Sequence, residues 1–222
     1  QSIIFYARDG IDFLRPYAYW TPLGWQQHEL HELPIYQALS AWSSAFTKTV
    51  LSASRGVNLF FALLTLLVVF QIAATYFCRK TATYAALFFA FAPLNLMYQS
   101  ATLMDVSTVF FASLAYWLLA KYFKGTQNIT LFFMFLLAGG YCVVTKPLYF
   151  LPSGVLLVTH FFQQWGWPRM KNLLDYTVRH RAVIGLFILL TCIMFFWIEV
   201  QKEVNPDSIN ILKFITLDLF NH

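Results

Sequence analysis

The chain has 222 residues, 59% of them hydrophobic and only 11% charged, where soluble domains carry about a quarter charged residues. Its 24 Phe, 12 Tyr and 7 Trp would leave large apolar patches on a soluble fold of this size, so the composition indicates an integral membrane protein instead. The net charge of +5 comes with no basic run lining a polar groove, which excludes nucleic acid as a partner.

The first stretch, up to Tyr36, is polar and aromatic and carries the string Gln27-His28-Glu29-Leu30-His31-Glu32-Leu33-Pro34-Ile35-Tyr36. Carboxylates held at a lipid–water boundary are costly to place and usually do chemistry or bind ions. Glu32, His31 and His28 together suit a divalent metal ion, because imidazole and carboxylate both ligate such ions. The string lacks the His-Glu-x-x-His spacing of zinc proteases, and hydrogen-bonded interfacial histidines are the plainer alternative.

From Pro34 to Val50, Ile35, Leu39, Trp42, Phe46 and Val50 recur every three or four residues. That spacing predicts an amphipathic helix in the membrane interface, with Pro34 in its first turn.

Apolar runs follow over Val57–Phe77, Thr83–Tyr98 (with Pro93 near its far end) and Val106–Phe123. Thr130 to Gln163 is too long for one crossing of about 20 residues. Gly139-Gly140 and Lys146-Pro147 are the expected breaks, giving two short helices in a hairpin. Ala182–Ile198 is the last run, and Pro206-Asp207-Ser208 opens a predicted second surface helix. The sequon Asn128-Ile129-Thr130 falls on the predicted inner side and is read as chance. Cys78, Cys142 and Cys192 are widely separated and read as small buried hydrophobes.

With the chain before Val57 outside, the inner loops hold Arg79, Lys80, Lys121, Lys124, Arg169, Lys171, Arg179 and Arg181, eight of the fifteen basic residues. Asp175 is the one acid among them, and the other nine of ten acids lie outside. This bias fixes the expected orientation. The expected fold is therefore an all-α, polytopic transmembrane bundle of about six membrane helices, multi-pass in a plasma or inner membrane. Residues 1–222 form one membrane domain: an outer loop with its interfacial helix over 1–56, transmembrane helices over 57–199, and the start of an outer segment over 200–222.

Five elements carry a family resemblance. They are Phe5-Tyr6-Ala7-Arg8-Asp9-Gly10 with Phe13-Leu14-Arg15-Pro16; Glu32-Leu33-Pro34-Ile35-Tyr36; Arg55-Gly56-Val57-Asn58; Ala92-Pro93-Leu94-Asn95 with Met104-Asp105; and Thr145-Lys146-Pro147. In this order the chain resembles the GT-C glycosyltransferases, specifically the protein-mannosyltransferase-like and lipid A aminoarabinose-transferase-like branch.

The resemblance implies transfer of a sugar from a polyprenyl-phosphate-linked donor to a lipid, glycan or protein acceptor on the outer face. It implies catalytic roles for Glu32 and Asp105, substrate contacts from Lys146, Arg55 and Tyr36, and a metal or substrate at Glu32. It also implies a catalytic acid upstream of Gln1. With no initiator Met and Gln1 starting in mid-pattern, the chain is expected to be a fragment, truncated at both ends. Membrane lipids are the remaining partners. A transporter or flippase, or a structural subunit, is the alternative reading.

Overall fold

The computed structural model describes residues 2–9, 17–20, 25–28, 34–100, 105–125, 128–165 and 178–204. The architecture is an all-α bundle. Its elements are α1 (Ser2–Asp9), β1 (Tyr17–Trp20), β2 (Trp25–His28), α2 (Ile35–Ser44), α3 (Val50–Tyr76), α4 (Arg79–Phe91), α5 (Pro93–Ser100), α6 (Asp105–Phe123), α7 (Ile129–Thr145), a 3₁₀ turn (Pro147–Phe150), α8 (Leu151–Trp165) and α9 (Arg181–Val204). The two strands form one antiparallel hairpin pairing Tyr17 with His28 and Trp20 with Trp25. Glu32, His31 and the segment opened by Pro206 lie outside the described residues.

Among the described residues three helices are long and apolar enough to cross a membrane: Val50–Tyr76, Asp105–Phe123 and Arg181–Val200 within α9. Ile129–Thr145 is apolar but shorter, about 26 Å at 1.5 Å per residue.

α3 starts seven residues ahead of the expected Val57. Thr49 accepts a hydrogen bond from the Ser52 amide at 3.1 Å, an N-cap that fixes the start. The polar residues that follow are accommodated inside the helix: Ser54 donates back to the Val50 carbonyl at 3.0 Å. An apolar window misses this opening stretch because it counts Ser52, Ser54 and Arg55 against a span, although Ser54 is buried and hydrogen-bonded to the helix's own backbone.

Pro93 divides the expected Thr83–Tyr98 span into α4 and α5. Proline has no N–H to give the Phe89 carbonyl and pushes Ala92 into extended backbone. The Asn95 side chain supplies the missing donor, reaching the Phe89 carbonyl at 2.7 Å.

Gly139-Gly140 does not break the chain, as the sequence had suggested; α7 runs through both glycines to Thr145. Gly139 instead marks a close approach. A Cβ there would stand 2.8 Å from Leu190 Cδ1 and 3.0 Å from Phe150 Cε2. Small residues allow this kind of packing between membrane helices. Lys146-Pro147 does end the helix, as expected. Asn128 of the sequon caps α7, its Oδ1 accepting from the Thr130 amide at 3.0 Å.

The predicted amphipathic helix shortens to α2. Leu39, Trp42 and, just beyond its end, Phe46 are exposed, so this apolar face points away from the bundle. Tyr36, Ala38, Ser40 and Ala41 are the buried face.

Helix directions follow from packed pairs. α3 and α6 run parallel: Phe61, near the middle of α3, meets Phe110 and Phe111 in the first half of α6, and Lys124, just past α6, donates to the Thr75 carbonyl at the end of α3. α7 runs antiparallel to α6, with Ser107 against Tyr141 at one end and Tyr122 against Phe132 at the other. Phe123 stacks on His160 of α8, and Tyr122 meets His180 just ahead of α9. Arg79, Lys80, Lys121, Lys124, Arg179 and Arg181 therefore gather at one end of the bundle. Asp105 and Glu199 lie towards the other. The main core joins α6, α7 and α9 through Leu118, Leu119, Phe135, Ala138, Cys142 and Leu190.

Candidate functional site

Because α6 begins where its antiparallel neighbour α7 ends, Asp105 and Lys146 are brought together across 41 residues of sequence. Ser107 and Tyr141 fix the register through a buried hydroxyl pair at 2.8 Å. The Cys142 thiol faces the Thr108 carbonyl one step deeper. The acid sits in the first turn of α6 and the base caps the end of α7. Each charge thus complements the dipole of the helix that carries it.

Lys146 Nζ donates to Asp105 Oδ1 at 2.6 Å, and the Tyr149 hydroxyl donates to the same oxygen at 3.0 Å. The Asp105 side chain is 14% exposed and that of Lys146 32%. This is a pair at the surface of a cleft, neither fully hydrated nor dry.

Behind it lies a cavity of about 340 Å³ walled by Ala62, Phe89, Ala92, Val106, Val109 and the Tyr149 ring. Its other polar lining groups, Thr65 and Asn95, are already engaged with the Phe61 and Phe89 carbonyls. Val109 and Tyr149 also wall a second cavity of about 420 Å³, with Ile72, Ser113, Tyr116 and Leu148 on its far sides. A charged mouth over apolar chambers suits an amphiphile with a polar head and an oily chain.

Tyr149 was not anticipated from the sequence. Pro147 ends α7 and the chain tightens into a 3₁₀ turn, in which residues three apart eclipse one another. That geometry sets Tyr149 over Lys146, and its trace in the sequence is an aromatic residue two positions after the Lys146-Pro147 pair.

The other expected site residues fall as follows. Arg55 is exposed on α3, seven residues ahead of Ala62, which packs on Val106; that spacing is about 10 Å along the helix. Tyr36 is 2% exposed, and its hydroxyl donates to the Ser54 carbonyl at 3.3 Å. Burial pushes the Tyr36 phenol up from its ordinary range. Its position docks α2 on the first turns of α3, beside Arg55. His28 ends β2 opposite Tyr17. Among the described residues no three His, Cys, Asp or Glu side chains converge as a metal site.

The opposite end has a different chemistry. His160 lies flat on Phe123 with ring centroids 3.7 Å apart, and Tyr122 meets His180 Nδ1 at 3.2 Å. Lys121 sits over the Trp117 ring at 4.0 Å. Cations stacked on rings near helix ends are typical of lipid–water boundaries.

Comparison of the chain with protein-family models, with curated proteins and with solved structures returned no match in any of the three.

Proposed function

We propose that this chain is the membrane part of a glycosyltransferase of the GT-C type, moving a sugar from a polyprenyl-phosphate-linked donor to an extracytoplasmic lipid, glycan or protein. The observation that carries this reading is the meeting of Asp105, Lys146 and Tyr149 at the lip of an apolar cavity. In this reading the helices cross the membrane several times. The basic end faces the cytoplasm and the Asp105–Lys146 end faces out.

The chemistry makes three demands on the residues. The acceptor oxygen forms a bond to the sugar's anomeric carbon as the bond from that carbon to the phosphate oxygen breaks. The acceptor proton passes to a carboxylate, for which Glu32 is the candidate within this chain. The bonding electrons leave with the phosphate, and Lys146, seconded by Arg55, balances the charge it gains. Asp105 orients Lys146 and shapes the pocket, while α2 and Tyr36 hold the outer segment against α3. A divalent ion at Glu32, His31 and His28 belongs to the same proposal, but no step above passes through it.

The break between α7 and α8 beside Lys146 also favours a transporter reading, since interrupted helices build transporter sites. Those sites lie near mid-membrane, whereas Asp105 and Lys146 stand at helix ends, which favours the enzyme.

The test is sugar transfer by the complete protein in proteoliposomes supplied with a radiolabelled polyprenyl-phosphate sugar. Lys146→Met is expected to lower turnover by about 100-fold or more, the scale of losing one transition-state charge contact, and Lys146→Arg to recover part of it. Wild-type turnover in Lys146→Met would remove the phosphate role.

A further inference from the structure

We infer that Lys146 and Tyr149 form the seat of a phosphate group on an amphiphile, and that the Asp105 carboxylate occupies this seat until the ligand arrives. The inference rests on the donor site proposed above and adds to it a ligand-exchange step and a residue, Tyr149.

Three observations converge. Both donors point at one atom, Asp105 Oδ1, at 2.6 and 3.0 Å. An ammonium and a phenol converging on a single anionic oxygen suit a phosphate oxygen as well as the carboxylate oxygen they now hold. The carboxylate that fills it belongs to a side chain that is 14% exposed and lines the first cavity, so a ligand in that cavity reaches it. The Tyr149 ring forms a wall of both apolar cavities while its hydroxyl is part of the seat. A head bound at Lys146 therefore has its chain directed past Tyr149 into a space lined by Ala62, Val109 and Ser113.

Asp105 has two effects on such a ligand. It keeps Lys146 extended towards the cleft, because a lysine without a local counter-charge is free to snorkel to headgroups. It also competes, since a like charge a few ångströms from an incoming phosphate opposes its binding. Binding is then an exchange: Nζ and the phenol transfer their hydrogen bonds from Oδ1 to a phosphate oxygen, and the carboxylate turns to water. No covalent bond changes in this step.

Purified protein in nanodiscs is titrated with monododecyl phosphate and, separately, with inorganic phosphate. Asp105→Asn keeps the shape and an oxygen that accepts from Lys146, so the lysine stays in place while the competing charge is removed, and it is expected to bind monododecyl phosphate about tenfold more tightly than wild type. Tyr149→Phe in that background is expected to give back about tenfold or more, the scale of one hydrogen bond to a charged group. Lys146→Met is expected to abolish binding, and inorganic phosphate to bind far more weakly than the amphiphile.

Unchanged or weaker binding in Asp105→Asn, with binding still lost in Lys146→Met, would overturn the exchange alone. Wild-type binding in Lys146→Met would overturn both the exchange and the donor site beneath it. Equal binding of inorganic phosphate would overturn the assignment to an amphiphile.

Discussion

The two adjacent glycines of α7 make opposite predictions for the same substitution. A Cβ on Gly139 would lie 2.8 Å from Leu190 Cδ1 and 3.0 Å from Phe150 Cε2, whereas one on Gly140 would meet only Leu190 Cδ2, at 3.9 Å. Both positions gain from alanine through helix propensity and a less flexible unfolded chain, by about 0.5–1 kcal/mol. At Gly139 that gain is opposed by overpacking, which costs about 1–3 kcal/mol in a filled core. Leu190 is 1% exposed and Phe150 9%, and both belong to the main core cluster, so either can give way only by moving its packed neighbours.

Gly140→Ala should therefore stabilise slightly and Gly139→Ala should not. The gap between the two variants is the overpacking cost, about 1–3 kcal/mol. Thermal unfolding in detergent should show midpoints separated by roughly 2–12 °C, at 2–4 °C per kcal/mol for a chain of this size. A further arm isolates the cause. Leu190→Ala alone opens a cavity and costs about 2–5 kcal/mol, but the cost should shrink in the Gly139→Ala background, where the new methyl fills part of the space. Equal midpoints for the two glycine variants, or strict additivity with Leu190→Ala, would refute the packing argument. The consequence reaches the site, because α7 carries Lys146 at its end.

Three further outcomes are expected. Cys78 is exposed, and its thiol is held below the ordinary range first by the Thr81 hydroxyl, 3.3 Å away. In a variant with Cys142→Ala and Cys192→Ala, an impermeant maleimide should label Cys78 in right-side-out vesicles only after permeabilisation, and labelling of intact vesicles would reverse the proposed orientation. His180 is held below its ordinary value of 6.5 by burial and then by the Arg179 guanidinium. A depressed histidine contributes stability that is present above that ordinary value and lost as pH falls below it. The unfolding midpoint should therefore drop from pH 7 towards pH 5, less steeply in His180→Gln; equal slopes would exclude His180 as a source, with His160, Tyr122 and Arg179 the neighbours that share its environment. Asn95→Ala should cost about 1–3 kcal/mol by orphaning the Phe89 carbonyl at the Pro93 break, read as a lowered unfolding midpoint beside an unaffected Gln71→Ala control.

Much of the fold was legible because apolar helices announce themselves by composition: α6, α7 and α9 each begin one residue ahead of an apolar run. Register and partnership were not legible. Asp105 and Lys146 each read as functional, yet their contact depends on the Ser107–Tyr141 pairing, which no local pattern encodes. Gly139-Gly140 resembled a break because glycine is a poor helix former. Its role as a notch exists only once Leu190, fifty residues on, packs into it. The early start of α3 was hidden because hydropathy counts Ser54 as wet, although it is buried in the assembled bundle. Tyr36 read as a ligand-facing phenol from its place in a motif, and its burial against Ser54 emerges only when α2 docks.

The central claim is that a lipid-linked phosphate binds at Lys146 with its chain in the cavity behind. A polyprenyl phosphate carrying a photoreactive group on its first isoprene unit tests it directly, with adducts mapped by mass spectrometry on the complete protein in nanodiscs. Adducts should concentrate on Ala62, Val109 and Tyr149 and be displaced by unlabelled lipid phosphate. Adducts confined to the outward face of α9, at Phe195 and Phe196, would show a probe dissolved in the bilayer and contradict the site.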